Sequence, residues 1–305
     1  MRRELYGYLL VILAAALWAV GGVVAKFLFN NAISPFLLVK LRMTLSCLIM
    51  VVILAICNHK LLYIKRKDIK GLIILGIAGL ASMQLTYFLT ISLTNVATAV
   101  FLQYMSPVMM AIHAVLWEKV VLGIRSIAAI VLAMVGGFLI MVDVSGWQGF
   151  NQLGIVTGIL SAVTMAFNTI HTRNLIRTYY PATVLTYSLG VGAVFFWLLM
   201  PYTWEPGSIT REHWLMFLYV AVFSTVIPFG AFYMGLQFVS PTNAGITACL
   251  EPVMAAVVAY VALGETMGWL QVVGGALVVA AVILLQLKSP AAKAVEQPVA
   301  SETVK

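Results

Sequence analysis

Residues 242–263 read TNAGITACLEPVMAAVVAYVAL, an apolar run with one acid, Glu251, near its middle and a proline, Pro252, directly after it. About 20 apolar residues cross a bilayer as a helix, so the run reads as a span. A central acid there costs about 2.5–3.5 kcal/mol to insert and calls for an explanation. The run also has an earlier copy. A shift of 145 residues lays Pro107-Val108-Met109 on Pro252-Val253-Met254, Ala99 on Ala244 and Tyr87-Phe88 on Phe232-Tyr233. A shift of 147 lays Gly7 on Gly154, Leu13 on Leu160, Ala15 on Ala162, Ala19 on Ala166 and Lys26 on Arg173.

Working outward, windows bounded by charges, Gly or Pro give ten spans: 7–29, 35–57, 71–93, 95–117, 126–144, 153–172, 182–200, 214–237, 242–263 and 269–287. Of 305 residues, 63% are apolar and 9% charged. Soluble domains run near half apolar and a quarter charged, so a soluble enzyme of this size would be a composition outlier, and a disordered chain is excluded. Hydrocarbon offers no partner to exposed backbone groups, which favours helices; the short alternating segments of a β-barrel are absent. The expected fold is an all-α integral membrane protein, with ten transmembrane helices arranged as two inverted five-helix repeats around a central cavity. Residues 1–147 form the first repeat, 148–288 the second, and 289–305 an Ala/Pro/polar tail expected to be disordered. Five is odd, so the second copy enters the membrane upside down. Inverted repeats are a signature of secondary transporters that work by alternating access; a duplicated static scaffold is the other reading.

The net charge of +8 and pI of about 9.4 do not imply nucleic acid, because the cations follow the membrane. With the N-terminus inside, fourteen of the 18 Lys and Arg fall in inner segments and only Arg211 in an outer loop. That bias places both termini in the cytoplasm, with the chain multi-pass in the cytoplasmic (inner) membrane. Lys26, Lys40 and Arg42 lie within spans toward their outer ends, where long side chains reach the interface. Cys47, Cys57 and Cys249 sit in apolar runs with no CxxC spacing, so they read as buried thiols and not as a disulfide framework or metal site. No cofactor and no metal is expected.

Several of these marks together resemble the EamA-type family of the drug/metabolite transporter superfamily. They are Trp18 in the first helix, Pro35 with Arg42 seven residues on, Tyr87 in the third, and Pro107 followed by a helix ending in Glu118. In the second copy, Leu250-Glu251-Pro252 is followed by Leu263-Gly264-Glu265. The chain departs from the family in three places. Trp18-Ala19 stands where the family has Trp-Gly, Ser106 stands opposite Glu251, and the Pro-to-Glu interval is 11 residues in one copy and 13 in the other. The resemblance implies ten helices around a central cavity and outward transport of small metabolites, often amino acids. It does not supply a substrate, since members differ widely.

The candidate site residues follow from helical spacing. Glu251 is the only acid in mid-span. Either it binds a substrate amine or a proton, or it accepts hydrogen bonds from a neighbouring helix and only holds the fold. Pro107 and Pro252 remove one helical hydrogen bond each, at symmetric depth, and serve as hinges or as fixed bends. Asn243, Thr247 and Glu251 recur every four residues; Thr157, Ser161, Thr164, Asn168 and His171 make a second polar stripe, and Ala99, Gln103, Ser106, Met110 and His113 a third. Gln84 and Tyr87 share a face. Trp18, Tyr87, Tyr104 and Tyr233 are aromatics at mid-depth that stack on a substrate ring, attract a cation or simply pack. The substrate-binding set is therefore Trp18, Gln84, Tyr87, Gln103, Ser106, Asn168, His171, Tyr233, Asn243, Thr247 and Glu251. Lys26 with Asp143 or Glu265, and Arg173 with Glu118, are candidate rim gates or static anchors.

The function expected is secondary transport of a small amphipathic metabolite, an amino acid or amine, by alternating access and in the efflux direction, with proton coupling at Glu251. The partners are the small-molecule substrate and the lipid bilayer; the oligomeric state is left open. A broad-spectrum drug/proton antiporter is the alternative. Phosphate-ester exchange would need paired cations deep in the cavity. An intramembrane enzyme would need paired carboxylates, a His-Glu-x-x-His motif or a nucleophile elbow, and the spans contain none.

Overall fold

In a computed structural model the described residues are 2–31, 33–145, 151–199, 210–263 and 268–286, and no strand occurs among them. The helices are α1 (Arg2–Asn30), α2 (Pro35–Asn58), α3 (Arg66–Leu93), α4 (Val96–Leu116), α5 (Ile124–Ser145) and α6 (Gln152–Leu175). After them come α7 (Pro181–Leu199), α8 (Arg211–Gly235), α9 (Pro241–Ala248), α10 (Glu251–Leu263) and α11 (Trp269–Gln286). Among the described residues, the first eight are long and apolar enough to cross a bilayer. The ninth expected span is two short helices, α9 and α10, and the tenth, α11, is a shorter apolar helix. The tail after residue 288 lies outside the described residues.

Helix starts follow local chemistry. Ser34 accepts from the Leu37 amide at 3.1 Å ahead of Pro35, and Ser240 accepts from the Asn243 amide at 3.3 Å ahead of Pro241. Asn95 caps α4 through the Thr98 amide at 2.8 Å, and Asn151 caps α6 through the Gly154 amide at 3.2 Å. Each cap satisfies a donor that hydrocarbon would leave bare. The outer surface is apolar: Leu48 is 58% exposed, Val52 55% and Leu198 77%, a surface suited to acyl chains and not to water. Polar side chains turn inward instead, and Ser161, Asn168 and Thr169 are fully buried. One expectation fails: Cys57 is exposed and Cys47 half-buried, because both lie on the outer side of α2, and Cys249 alone is buried.

Irregular backbone recurs at a constant offset. A π-helical stretch occupies Leu75–Ala81 in α3 and another Val222–Val226 in α8, where a shift of 145 residues would place it. α4 breaks at Tyr104-Met105, and the chain breaks again at Cys249-Leu250, between α9 and α10. Pro107 and Pro252 therefore do not bend continuous helices. Each stands in the first turn of a new helix, where its missing N–H leaves nothing unsatisfied. The most extensively packed helix pairs are α5 with α11, α3 with α6 and α1 with α8. Every one joins the first half of the sequence to the second.

In the α5–α11 pair, a Cβ on Gly136 would lie 2.5 Å from the carbonyl oxygen of Gly274, and a Cβ on Gly274 2.5 Å from that of Gly136. Both obstacles are backbone, so neither can step aside, and the absence of side chains sets the helix separation. Gly136→Val should force the pair apart, costing about 1–3 kcal/mol by overpacking. Thermal unfolding in detergent should show a midpoint lowered by several degrees. An unchanged midpoint would mean that the close approach is not needed.

Candidate functional site

The site begins at a backbone irregularity. A π turn shifts the hydrogen-bond frame and leaves carbonyls without their usual donors. At the π turn of α8 those donors come from α2. Ser46 Oγ donates to the Ala221 carbonyl at 3.0 Å, and one turn away Arg42 Nη2 donates to the Ser224 carbonyl at 2.5 Å. Arg42 Nε donates to Thr225 Oγ1 at 2.5 Å, while the Thr225 hydroxyl donates to the Val220 carbonyl at 2.8 Å. This corrects the outward placement expected for Lys40 and Arg42. Arg42 is only 3% exposed, because the π turn offers it acceptors inside the bundle. Lys40 is also buried, with its ammonium 3.7 Å from the centroid of the Trp197 ring.

Arg42 shares a cavity with Glu251. Trp18, Gly21 and Gly22 of α1, Gln84 and Tyr87 of α3, and Gln103 and Tyr104 of α4 line it, with Met83, Phe88, Met165, Ser224 and Phe229 filling the remaining wall. Its open volume is about 30 Å³, so these side chains fill most of the space they enclose. Glu251 is 6% exposed. It begins α10, where the positive end of the helix favours a carboxylate. Tyr104 Oη donates to Glu251 Oε2 at 2.5 Å. The guanidinium and the carboxylate make no direct ion pair; each is held by its own partners. Gln103 Nε2 donates to Ser161 Oγ at 2.8 Å. Gln84 Nε2 and Trp18 Nε1 are buried donors with no hydrogen-bond acceptor in the protein. Two opposite charges, two spare N–H donors and a cluster of rings, with Trp18 and Phe229 4.9 Å apart, thus face one space.

Of the expected substrate-binding set, the structure brings together Trp18, Gln84, Tyr87, Gln103 and Glu251. The others lie elsewhere. The Tyr233 hydroxyl donates to Asn168 Oδ1 at 3.2 Å, tying α8 to α6. His171 Nε2 meets the Gly71 carbonyl at 3.1 Å, and its ring stacks on Phe167. Asn243 Nδ2 donates to the Tyr8 hydroxyl at 3.2 Å, the Thr247 hydroxyl turns back to the Asn243 carbonyl, and Ser106 is buried outside the cavity lining. Asn243 instead lines a second recess with His113 and Glu118, where Glu118 lies 3.6 Å from His113 Nδ1. Lys26 donates to the carbonyls of Ile91 at 3.0 Å and Thr94 at 3.2 Å; its counterpart Arg173 donates to the carbonyl of Leu236. Arg173 thus caps a backbone carbonyl, with Glu118 near enough to act on its charge. The side chain of Asp143, and Glu265, lie outside the described residues. Sequence reasoning did not place Arg42, Ser224 or Thr225 in the site, and named Tyr104 only among the aromatics that stack or pack. Arg42, seven residues after Pro35, and Tyr104, a mid-depth aromatic, were visible as marks without a direction.

The model of the EamA-like transporter family matches residues 5–142 and 152–287. The chain belongs to that family. A relative named as an uncharacterized inner membrane transporter, YicL of Salmonella typhimurium, is 29% identical over 290 residues, covering 93% of this chain and 96% of its own. An uncharacterized transporter of Archaeoglobus fulgidus is 28% identical over 282 residues, covering 92% of this chain and 96% of its own. A solved crystal structure superposes with a TM-score of 0.77 at 19% identity, covering 94% of this chain and 96% of that one, and supports the fold alone. As an EamA-like protein, the chain is a multi-pass membrane transporter whose lipid-facing helices enclose a polar centre.

The Arg42 anchor is testable on stability. Lysine has no planar fork with which to reach both the Ser224 carbonyl and Thr225 Oγ1. Arg42→Lys should cost about 1.5–3 kcal/mol, the worth of a hydrogen bond to a charged group, and lower the unfolding midpoint by several degrees. Thr225→Val should cost less, since the Ser224 carbonyl remains. Equal midpoints for all three proteins would show that the π-turn contacts carry no stability.

Proposed function

We propose that this EamA-like transporter moves small amphipathic metabolites, amino acids or amines, out of the cell by alternating access. The observation that carries the reading is the pair of opposite charges, Arg42 and Glu251, lining one buried cavity without bonding each other. A zwitterion is the complement of that arrangement. Its carboxylate faces the guanidinium and the spare N–H groups of Gln84 and Trp18, and its ammonium faces Glu251 and the rings. An amine alone uses the Glu251 half.

The movement proposed is rocking of two inverted five-helix repeats, 1–147 and 148–288, about this cavity, with the breaks before Pro107 and Pro252 as hinges. Support comes from the π stretches and helix breaks that recur at an offset of 145 residues. The equivalent carbonyl caps of Lys26 and Arg173 add to it. The cation bias supports cytoplasmic N- and C-termini. Glu251 is proposed to exchange the substrate ammonium for a proton, so that proton import drives efflux and an acidic outer side accelerates it.

Counterflow of a panel of amino acids and amines in proteoliposomes tests the substrate class, and saturable counterflow is expected for at least one. With that substrate, Glu251→Gln should lower flux about tenfold or more, the equivalent of one lost contact to a charged group, and flatten its pH profile. Unchanged flux and profile would remove Glu251 from the mechanism. Separately, with Cys47 and Cys57 replaced by serine, Glu4→Cys and Lys305→Cys should be labelled by an impermeant thiol reagent from the same side of the membrane; labelling from opposite sides would overturn the inverted-repeat reading.

A further inference from the structure

Away from the central cavity, a groove of about 690 Å³ opens on the lipid-facing surface between α2, α3 and α7. Val51, Ile73, Ile77, Val191, Val194 and Leu198 give it apolar walls. From Thr186 to Leu198 it follows α7 for about 18 Å at 1.5 Å per residue, more than half of a hydrocarbon core of about 30 Å. Leu62 and Tyr187 form its lining next to the loop that joins α2 to α3.

That loop carries Lys60 and Lys65, and the first turns of α3 add Arg66, Lys67 and Lys70, all exposed. Asp68, the acid among them, is engaged by the Tyr179 hydroxyl, which donates to it at 2.6 Å. Three further bonds pin the loop to the start of α7. The Tyr187 hydroxyl donates to the Leu62 carbonyl at 2.5 Å, the Thr183 hydroxyl to the Leu61 carbonyl at 2.7 Å, and the Lys65 amide to the Tyr179 oxygen at 3.0 Å. Tyr187 therefore both lines the groove and holds the backbone between Lys60 and Lys65 beside it.

We infer that groove and loop form one binding site for an anionic phospholipid, with an acyl chain along α7 and the phosphate among the loop cations. An apolar slot beside a cluster of exposed cations on a pinned loop matches the two parts of that molecule and its charge. Cations near a membrane surface attract anionic headgroups additively, and the face that the cation bias assigns to the cytoplasm borders an anionic leaflet. A second copy of the chain, related by a twofold axis, would bring the same five cations against themselves, so charge disfavours it as the occupant.

Native mass spectrometry of the full chain in mixed micelles, with phosphatidylglycerol or phosphatidylcholine at equal concentration, reads the site directly. Phosphatidylglycerol should be retained roughly tenfold better than phosphatidylcholine, an advantage on the order of two cations' attraction. Combining Lys60→Gln, Lys65→Gln and Lys67→Gln should abolish that preference. Val194→Trp, which stands a ring in the groove from a position 59% exposed, should lower retention of both lipids. Circular dichroism checks that each variant is folded. Equal retention of the two lipids, retention unaltered by both variants, or a dimer in place of the lipid-bound monomer would overturn the proposal. Transport is not measured, so failure of the transport reading and failure of this one are distinguishable.

Discussion

A polar group inside a bilayer must find its partner within the protein, since hydrocarbon supplies none. Most features of this chain follow from that constraint. It makes the fold helical and turns the Thr157–Ser161–Asn168 stripe of α6 inward. It also explains why deviations from the helix are answered from neighbouring elements. The π turn of α8 exposes carbonyls, and Arg42 and Ser46, one turn apart on α2, supply the donors. At the ends of α3 and α8, Lys26 and Arg173 cap carbonyls that the helix itself cannot satisfy. Arg42 is thus used as a hydrogen-bond donor to backbone, and its charge is left to act on the cavity.

The two halves share a backbone plan and differ in chemistry. Ser106 and Glu251 occupy equivalent places, each opening a helix just after a break. Tyr104 and Cys249 are likewise equivalent, each the first residue of its break. The first copy contributes the phenol that donates to the carboxylate of the second. One half supplies a hydroxyl and the guanidinium of Arg42, the other the acid and the π turn that anchors that guanidinium. A symmetric pair of helix breaks has become an asymmetric, polarised site. The polarity belongs to neither half alone.

Apolar run lengths made the helices legible in the sequence, and the isolation of Glu251 in mid-span marked the acid of the cavity. The polar stripes were legible as sets but misled as registers. Asn243, Thr247 and Glu251 recur every four residues, yet the chain breaks at Cys249-Leu250, which resets the helical phase and leaves Asn243 and Thr247 outside the cavity. The break at Tyr104-Met105 separates Gln103, which lines the cavity, from Ser106, which does not, in the same way. Arg42 was not legible as an inward residue. Its position near a helix end reads as interfacial, and the contact that reverses this lies 183 residues away, at a π turn that leaves no mark in composition or periodicity.

The separation of Arg42 from Glu251 has an energetic consequence for transport. A direct buried ion pair would have to be broken before a substrate could enter, and removing one partner of such a pair typically costs about 3–5 kcal/mol. Here the carboxylate is held by Tyr104 and the helix end, and the guanidinium by Ser224 and Thr225, so the two charges are already apart and neutral partners satisfy each. An incoming zwitterion in the proposed mode adds Coulomb attraction to both ends without displacing an existing ion pair. The same partners also limit how tightly the empty site can collapse on itself, because Tyr104 and the π turn each hold one charge by separate hydrogen bonds. A carrier needs this balance, since a site that neutralised itself completely would bind nothing, and an unpartnered pair of charges would not stay buried.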